Sequence, residues 1–335
     1  MKILLTGGTG YIGSHTAVEL LKLGHDVEIM DNLYNSKITV LDAIQELTGV
    51  KPKFHQVDLL DKKAMDEMFA QGGYDLVIHF AGLKAVGESV EQPLKYYENN
   101  VGGTVNLLEV MQKHGVKKII FSSSATVYGE QGGSEMKEDM QTGVGITNPY
   151  GETKYVIEEM LKDVATADPK FEVTILRYFN PVGAHESGLL GEDPNDIPNN
   201  LMPIIMKVST GEIPELSVYG DDYDTVDGTG MRDFIHVVDL AKGHVAAMNK
   251  MKPVVSIYNL GTGRATSVLE MVAAFEEASG RKLPYKIAPR RPGDLGKIYA
   301  NPEKAARELG WKTELTIEDA MRDTINYLEH VASKA

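Results

Sequence analysis

No cysteine occurs among the 335 residues, which excludes disulfides, thiolate zinc sites and thiol nucleophiles. No apolar run approaches the ~18 residues that a bilayer-spanning helix needs. MKILLTGG at the start is too short an apolar stretch for a secretory signal. These absences fit a cytoplasmic protein without a membrane partner. Basic residues are also in deficit, 34 Lys and Arg against 48 Asp and Glu, for a formal net charge of −14. Nucleic acids and anionic membranes call for a basic patch, so neither is expected to bind. An anionic small ligand would need a few local cations set against the global field. The nine histidines show no His-x-x-x-His pair or other metal spacing, and no metal is expected. The Gly-x-Ser-x-Gly turn of serine hydrolases is missing too, so FSSSATVYG (121–129) is not read as a nucleophile elbow.

What is present is a chain with 42% hydrophobic residues, ample for a large core and about two domains. KILLTG, DVEIMD, KFHQVDL, DLVIHFAG, KKIIFSSS and VTILRYFN read as buried strands. SHTAVELLKLG, AMDEMFAQG and VNLLEVMQKHG read as the helices between them. This alternation predicts an α/β fold, a Rossmann-type doubly wound parallel sheet. After about residue 180 the pattern changes: AHESGLLGEDPNDIPNN reads as a long loop, followed by a smaller mixed α/β domain. The expected division is 1–180 and 181–335, with the chain crossing back around 235–262.

TGGTGYIG (6–13) stands between a strand and a helix and satisfies Gly-x-Gly-x-x-Gly through Gly8, Gly10 and Gly13, with Gly7 as an alternative start. Glycines permit a tight turn and let backbone amides approach a pyrophosphate at a helix amino terminus. Asp31 closes the next strand, where a carboxylate accepts from a free ribose 2′-OH and repels a 2′-phosphate. The expected cofactor is therefore NAD. Asp58, placed at the end of the third strand, either reaches the adenine or caps the following helix.

NPYGETK (148–154) sets Tyr150 and Lys154 at i and i+4, on one helix face. Of the 15 tyrosines only Tyr150 has lysine four residues later. Bringing a phenol from a pKa near 10 to ~7 takes about 4 kcal/mol. One cation at ~6 Å in an effective dielectric of ~20 supplies roughly 3 kcal/mol. Lys154 therefore nearly suffices as the partner of a Tyr150 base. The serines of FSSSATVYG are expected just beyond the fifth strand, where such sheets bind ligands.

GGTGYIG, HFAGLKAVGES, SSSATVYG, NPYGETK, LRYFNPVGAH, IPNNLMP, GTGMRDFIHVVDLA and PRRPGDL run in the order seen in the UDP-glucose 4-epimerases. By these motifs the chain resembles that branch of the extended short-chain dehydrogenase/reductase family over nearly its whole length. The resemblance implies reversible, NAD-dependent epimerisation at carbon 4 of UDP-glucose and UDP-galactose through a transient 4-keto sugar, with NAD returned unchanged each turnover. It implies Tyr150 as catalytic acid and base, Lys154 as its partner and a ribose ligand, and Ser124 as the hydroxyl joining tyrosine and sugar. Around NAD it implies Gly7, Gly10, Tyr11, Ile12, Gly13, Asp31, Asn32, Asn35, Ser36, Asp58, Leu59, Phe80, Ala81, Gly82, Lys84, Asn99 and Tyr178. Around the nucleotide-sugar it implies Lys84, Asn180, Asn200, Leu201, Ser217, Tyr219, Arg232, Arg291, Asp294 and Ile298. Arg232 and Arg291 suit a diphosphate because guanidinium presents paired donors, although each read alone is more simply a surface ion pair. A homodimer through helix faces around 93–114 and 150–166 is implied as well.

Related dehydratases follow the active-site hydroxyl with an Asp-Glu pair, whereas Ala125 and Thr126 stand here. Epimerisation is thus favoured over elimination. A redox-inert NAD-binding regulator would be expected to lose the Ser, Tyr, Lys set, and all three are in place. Ile298 falls where the family gates the hexose pocket. Isoleucine is intermediate in size, so acceptance of N-acetylated hexosamines is left open.

Overall fold

The computed structural model describes residues 1–130, 134–195, 200–291 and 294–334. Parts of two quoted motifs, 197–199 and 292–293, lie outside the described residues. Strands β1 (Lys2–Thr6), β2 (Asp26–Asp31), β3 (Lys53–Gln56), β4 (Leu76–His79) and β5 (Lys118–Ser124) alternate with helices. The helices are α1 (Tyr11–Lys22), α2 (Val40–Thr48), α3 (Lys62–Gly72), α4 (Val86–Glu91), α5 (Pro93–Tyr96) and α6 (Gly103–Lys113). After β6 (Glu135–Met136) come α7 (Pro149–Ala167), β7 (Glu172–Tyr178) and β8 (Asn180–Val182). The later chain forms α8 (Leu201–Ser209), β9 (Leu216–Tyr219), β10 (Met231–Arg232), β11 (Phe234–His236), α9 (Val237–Met248) and β12 (Val255–Leu260). It ends through β13 (Thr266–Ser267), α10 (Val268–Ser279), β14 (Tyr285–Ala288), β15 (Lys297–Ala300), α11 (Glu303–Leu309) and α12 (Ile317–Lys334).

The main sheet has seven strands in the order β12-β7-β5-β4-β1-β2-β3, every neighbour parallel. Strand residues alternate between faces, and both faces are buried. Ile3 and Leu5 join one apolar cluster with residues of α1 and α9, while Leu4 joins another with residues of α3, α6 and α7. Burial on both sides is why these strands read as continuous apolar runs. The order reverses between β1 and β4, so a crevice opens at the carboxyl ends of those strands. The later chain returns once to this sheet, through β12, and otherwise builds smaller sheets. β10 lies between β13 and β15, and β15 pairs in turn with β6. β9 pairs with β14, and β8 with β11.

Three histidines sit neutral in this interior. His15 donates to the Tyr11 carbonyl (2.7 Å), His79 lies between the Thr6 and Thr104 hydroxyls, and His244 donates to the Leu240 carbonyl. Burial lowers their pKa values to about 3, about 3 and about 4 respectively. Each folded value is below that of the unfolded chain, so the unfolded chain binds the extra proton as pH falls. The stability these histidines contribute is complete above pH ~6.5 and is lost on the way down to pH 3–4. Urea titrations should show each one weakening the fold by about 1 kcal/mol per unit below pH ~6.5. A stability unchanged between pH 7 and 5 would contradict their neutral burial.

Candidate active site

β1 ends at Thr6, and Gly7 turns the chain in left-handed backbone (φ +68°). A Cβ on Gly7 would lie 2.7 Å from the Ala81 nitrogen, and one on Gly13 would lie 2.6 Å from the Gly7 oxygen. Glycine alone allows strand, turn and helix to come this close. α1 then opens at Tyr11, and the amides of its first turn, lacking intrahelical acceptors, suit an anion.

Asp31 accepts from the amides of Thr9 (3.2 Å) and Leu33 (2.9 Å) and from the Ser36 hydroxyl (3.3 Å). A carboxylate offers about four acceptor positions, which leaves capacity for a ribose. Asp58 lies beyond β3 rather than on it. It does not cap α3, because Asp61 takes that role by accepting from the Ala64 amide (3.0 Å). Asp58 instead accepts from Asn32 Nδ2 (2.7 Å) and the Leu60 amide (2.8 Å), which joins the loops after β2 and β3.

At the other end, Asn148 caps α7 by accepting from the Gly151 amide (2.9 Å), with Pro149 in the first turn. This start presents Tyr150 to the end of β5. The serines expected beyond β5 are its last residues, and Ser124 closes the strand. Lys154 is buried and donates to the Ser122 carbonyl (2.7 Å), with Nζ 5.9 Å from the Tyr150 ring centre. Burial raises the Tyr150 pKa, and the Ser124 hydroxyl opposes the rise. Burial likewise pulls Lys154 down to about 8, with Glu158 opposing. The expectation that Lys154 nearly suffices to bring the phenol to neutrality is therefore not met by the chain alone. Burial is the largest influence on both groups, raising the phenol and lowering the ammonium.

The second half of the cleft comes from the later chain. Arg232 pairs with Asp294, and the Arg291 guanidinium lies 3.9 Å from the Tyr219 ring centre. Asn180 opens β8, and Ile298 stands beside Arg232 in the β10–β15 register. Every residue named as a site candidate from the sequence lines one cleft of about 1150 Å³, from Asp31 and Asp58 to Arg232 and Arg291. Among the described residues no group of three or more His, Asp or Glu could hold a metal ion.

Several residues that organise this cleft were not legible as motifs. Asn100 accepts from the Leu83 amide (2.8 Å) and donates to the Leu83 carbonyl (3.0 Å) and Thr153 (3.1 Å), fixing the loop of Lys84 against α7. It sits beside Asn99 in a π-helical turn, Tyr97–Gly102. Glu192 pairs with Lys84 (3.1 Å), and Phe179 lines the cleft next to Tyr178. Tyr178 bonds to His244, which also packs on Phe80. Only a three-dimensional neighbourhood reveals these partners.

Residues 3–261 match the model of the NAD dependent epimerase/dehydratase family. The chain belongs to that family. It is 56% identical over 326 residues to the UDP-glucose 4-epimerase of Bacillus subtilis, covering 97% of this chain and 96% of that one. Its structure is similar to the UDP-glucose 4-epimerase of Bifidobacterium longum in complex with NAD+ and UDP (TM-score 0.96, 53% identity, 100% of both chains). It is equally similar to the enzyme of Stenotrophomonas maltophila with bound NAD and formylated UDP-arabinopyranose (TM-score 0.96, 46% identity, 100% of both chains).

NAD is the family's cofactor, and the glycine cradle and Asp31 fit it. An Asp31→Ala variant is expected to bind NAD roughly tenfold or more weakly, from loss of charge-assisted bonds to a ribose. Equilibrium titration checks this, and unchanged affinity would remove Asp31 from the site.

Proposed function

We propose that this chain interconverts UDP-glucose and UDP-galactose by inverting carbon 4 of the hexose, with NAD regenerated each turnover. The observation that carries the reading is convergence. Ser124, Tyr150 and Lys154 lie together and line the same cleft as the glycine turn, Asp31 and two arginines. Bound NAD would supply the reversible hydride acceptor for carbon 4 and a positive ring that favours the phenolate. Tyr150 takes the 4-OH proton and gives it back, Ser124 bridges phenol and sugar, and Lys154 supplies the charge that stabilises the phenolate. Gly7, Gly10, Tyr11, Ile12, Gly13, Asp31, Asn32, Asn35, Ser36, Asp58 and Leu59 hold the adenosine and pyrophosphate. Phe80, Ala81, Gly82, Lys84, Asn99 and Tyr178 border the nicotinamide half.

Asn180, Asn200, Leu201, Ser217, Tyr219, Arg232, Arg291 and Asp294 grip the nucleotide of the substrate, away from the reacting carbon. Binding energy placed there leaves the hexose free to turn between its two faces. Arg232 exchanges part of its bond with Asp294 for phosphate oxygens. We assign 1–180 with the return around 235–262 to the cofactor half and the rest of 181–335 to the substrate half. The absence of cysteine and of any described helix long and apolar enough to cross a membrane supports a cytoplasmic setting. A homodimer is the expected assembly, through faces around 93–114 and 150–166, where Leu94 and Val105 are exposed. Sedimentation of the purified chain as a monomer would oppose it.

Incubation with UDP-galactose and no added dinucleotide should yield UDP-glucose without net NADH. No product, with NAD demonstrably bound, would defeat the reading, and a 4-keto-6-deoxy product from dTDP-glucose would turn it toward elimination. Ile298 beside Arg232 narrows the hexose pocket, so UDP-N-acetylglucosamine should turn over weakly or not at all. Comparable rates on both sugars would contradict this gate, and Ile298→Tyr would then show whether a larger side chain restores exclusion.

A further inference from the structure

We propose that Glu158 is a positioning residue for the Tyr150–Lys154 pair, acting through a buried clamp with Arg177 and Ser123. The inference rests on the epimerase reading, whose machinery it deepens. Tyr150, Lys154 and Glu158 follow at i, i+4 and i+8, one stripe of α7 facing β5 and β7. Glu158 and Arg177 are almost wholly buried, at 0% and 1% exposure. Glu158 Oε1 accepts from the Ser123 hydroxyl (2.5 Å) and Arg177 Nε (3.0 Å), and Oε2 accepts from Arg177 Nη2 (2.7 Å). One carboxylate thus ties α7 to β5 and β7, at positions that face each other in the register, Ser123↔Arg177.

Ser123 is flanked by both anchors of the catalytic pair. The Ser122 carbonyl holds Lys154, and the Ser124 hydroxyl meets Tyr150. Fixing Ser123 to α7 therefore fixes the end of β5 relative to the helix that carries the phenol and the ammonium. Arg177 is held in turn over the Tyr128 ring (4.8 Å), and Tyr128 donates to Asn259 on β12 (2.7 Å). The clamp thereby spans three neighbouring strands. A buried ion pair is weak evidence of stability, since apolar replacements often serve as well. Geometric placement of a reacting group is a purpose that apolar packing does not meet.

The clamp also sets the charge balance at Lys154. The groups facing it are Tyr150 and Glu158 on α7 and His79 on β4, with Tyr178 on β7 next to Tyr150 and Arg177 behind Glu158. Glu158 is the one carboxylate in that set, and it favours the ammonium against burial. Without it Lys154 loses its proton at lower pH, and the phenolate loses its cation.

The test uses the NAD-loaded protein in three forms: unaltered, Ser123→Ala, and Glu158→Leu/Arg177→Met, which replaces the pair with apolar groups so that no lone charge is buried. Thermal unfolding first identifies the variants that fold. Ser123→Ala should lower kcat on the order of tenfold with KM within about twofold, from slight misplacement of the reacting groups. The double variant should move the alkaline limb of kcat to lower pH. It should also move the Tyr150 phenolate transition to higher pH, read as ultraviolet difference against the same protein carrying Tyr150→Phe. Folded variants with unaltered kcat and an unmoved phenolate transition would overturn the proposal and show the clamp to be purely structural. Should the double variant not fold, Ser123→Ala decides alone: the tenfold loss of kcat at unchanged KM supports the proposal, and unaltered kcat overturns it. Inactivity of the unaltered protein on UDP-galactose would instead count against the epimerase reading, while the phenolate measurement still decides the clamp.

Discussion

Tyr150→Phe is expected to lower turnover of UDP-galactose by about 10³-fold or more while NAD stays bound and the fold stays intact. The substitution removes one oxygen, the group proposed to exchange a proton with the sugar, and leaves a ring of nearly the same volume in place. Tyr150 is half-buried at the start of α7, where capping by Asn148 and Pro149 does not involve the phenol. Helix and cofactor cradle therefore have no reason to change. The chain's own groups leave the phenol protonated at neutral pH, since burial outweighs the Ser124 bond. Activity should accordingly rise with pH until Lys154, held near 8, begins to lose its proton. Retention of more than a tenth of the activity in Tyr150→Phe would remove Tyr150 from the proton-transfer role.

Gly7→Val should abolish NAD binding, read as loss of dinucleotide from the purified protein and of all turnover. Two costs coincide at this residue. A left-handed conformation costs a non-glycine residue roughly 1–2 kcal/mol. The new Cβ would also meet backbone, Ala81 N at 2.7 Å and Ala81 Cα at 2.8 Å, with no flexible side chain to yield. The chain must widen the gap between β1 and the loop after β4, and so distort the turn proposed to cradle the pyrophosphate. NAD retained at the original affinity would show that the turn is not the phosphate cradle.

The difference between what the sequence disclosed and what it concealed has a physical origin. β1, β2, β4, β5 and β7 were legible because strands buried on both faces must be continuous apolar runs. The glycine turn was legible because its geometry forbids a side chain, and Asp31 because it ends a recognisable strand. Partners joined across large separations left no such trace. Nothing local relates Asn100 to Leu83 and Thr153, or Glu158 to Ser123 and Arg177. Asn100 and Glu158 alone are ordinary polar residues in helical stretches. Asp58 read as either an adenine contact or a helix cap, because a lone acid before a helix suits both, and Asp61 three residues later takes the cap. The Tyr150–Lys154 spacing placed the two side chains together but could not give the burial, and burial decides the sign of both pKa shifts.

The central claim is a hydride that leaves carbon 4 and returns to the same carbon. Its most direct test is conversion of UDP-galactose carrying deuterium at carbon 4, in ordinary water, followed by mass and NMR analysis of the UDP-glucose formed. Full retention of deuterium at carbon 4 of the product, with inverted configuration, is the expected result. Deuterium lost to solvent would mean that carbon 4 exchanges a proton rather than a hydride, and would contradict it.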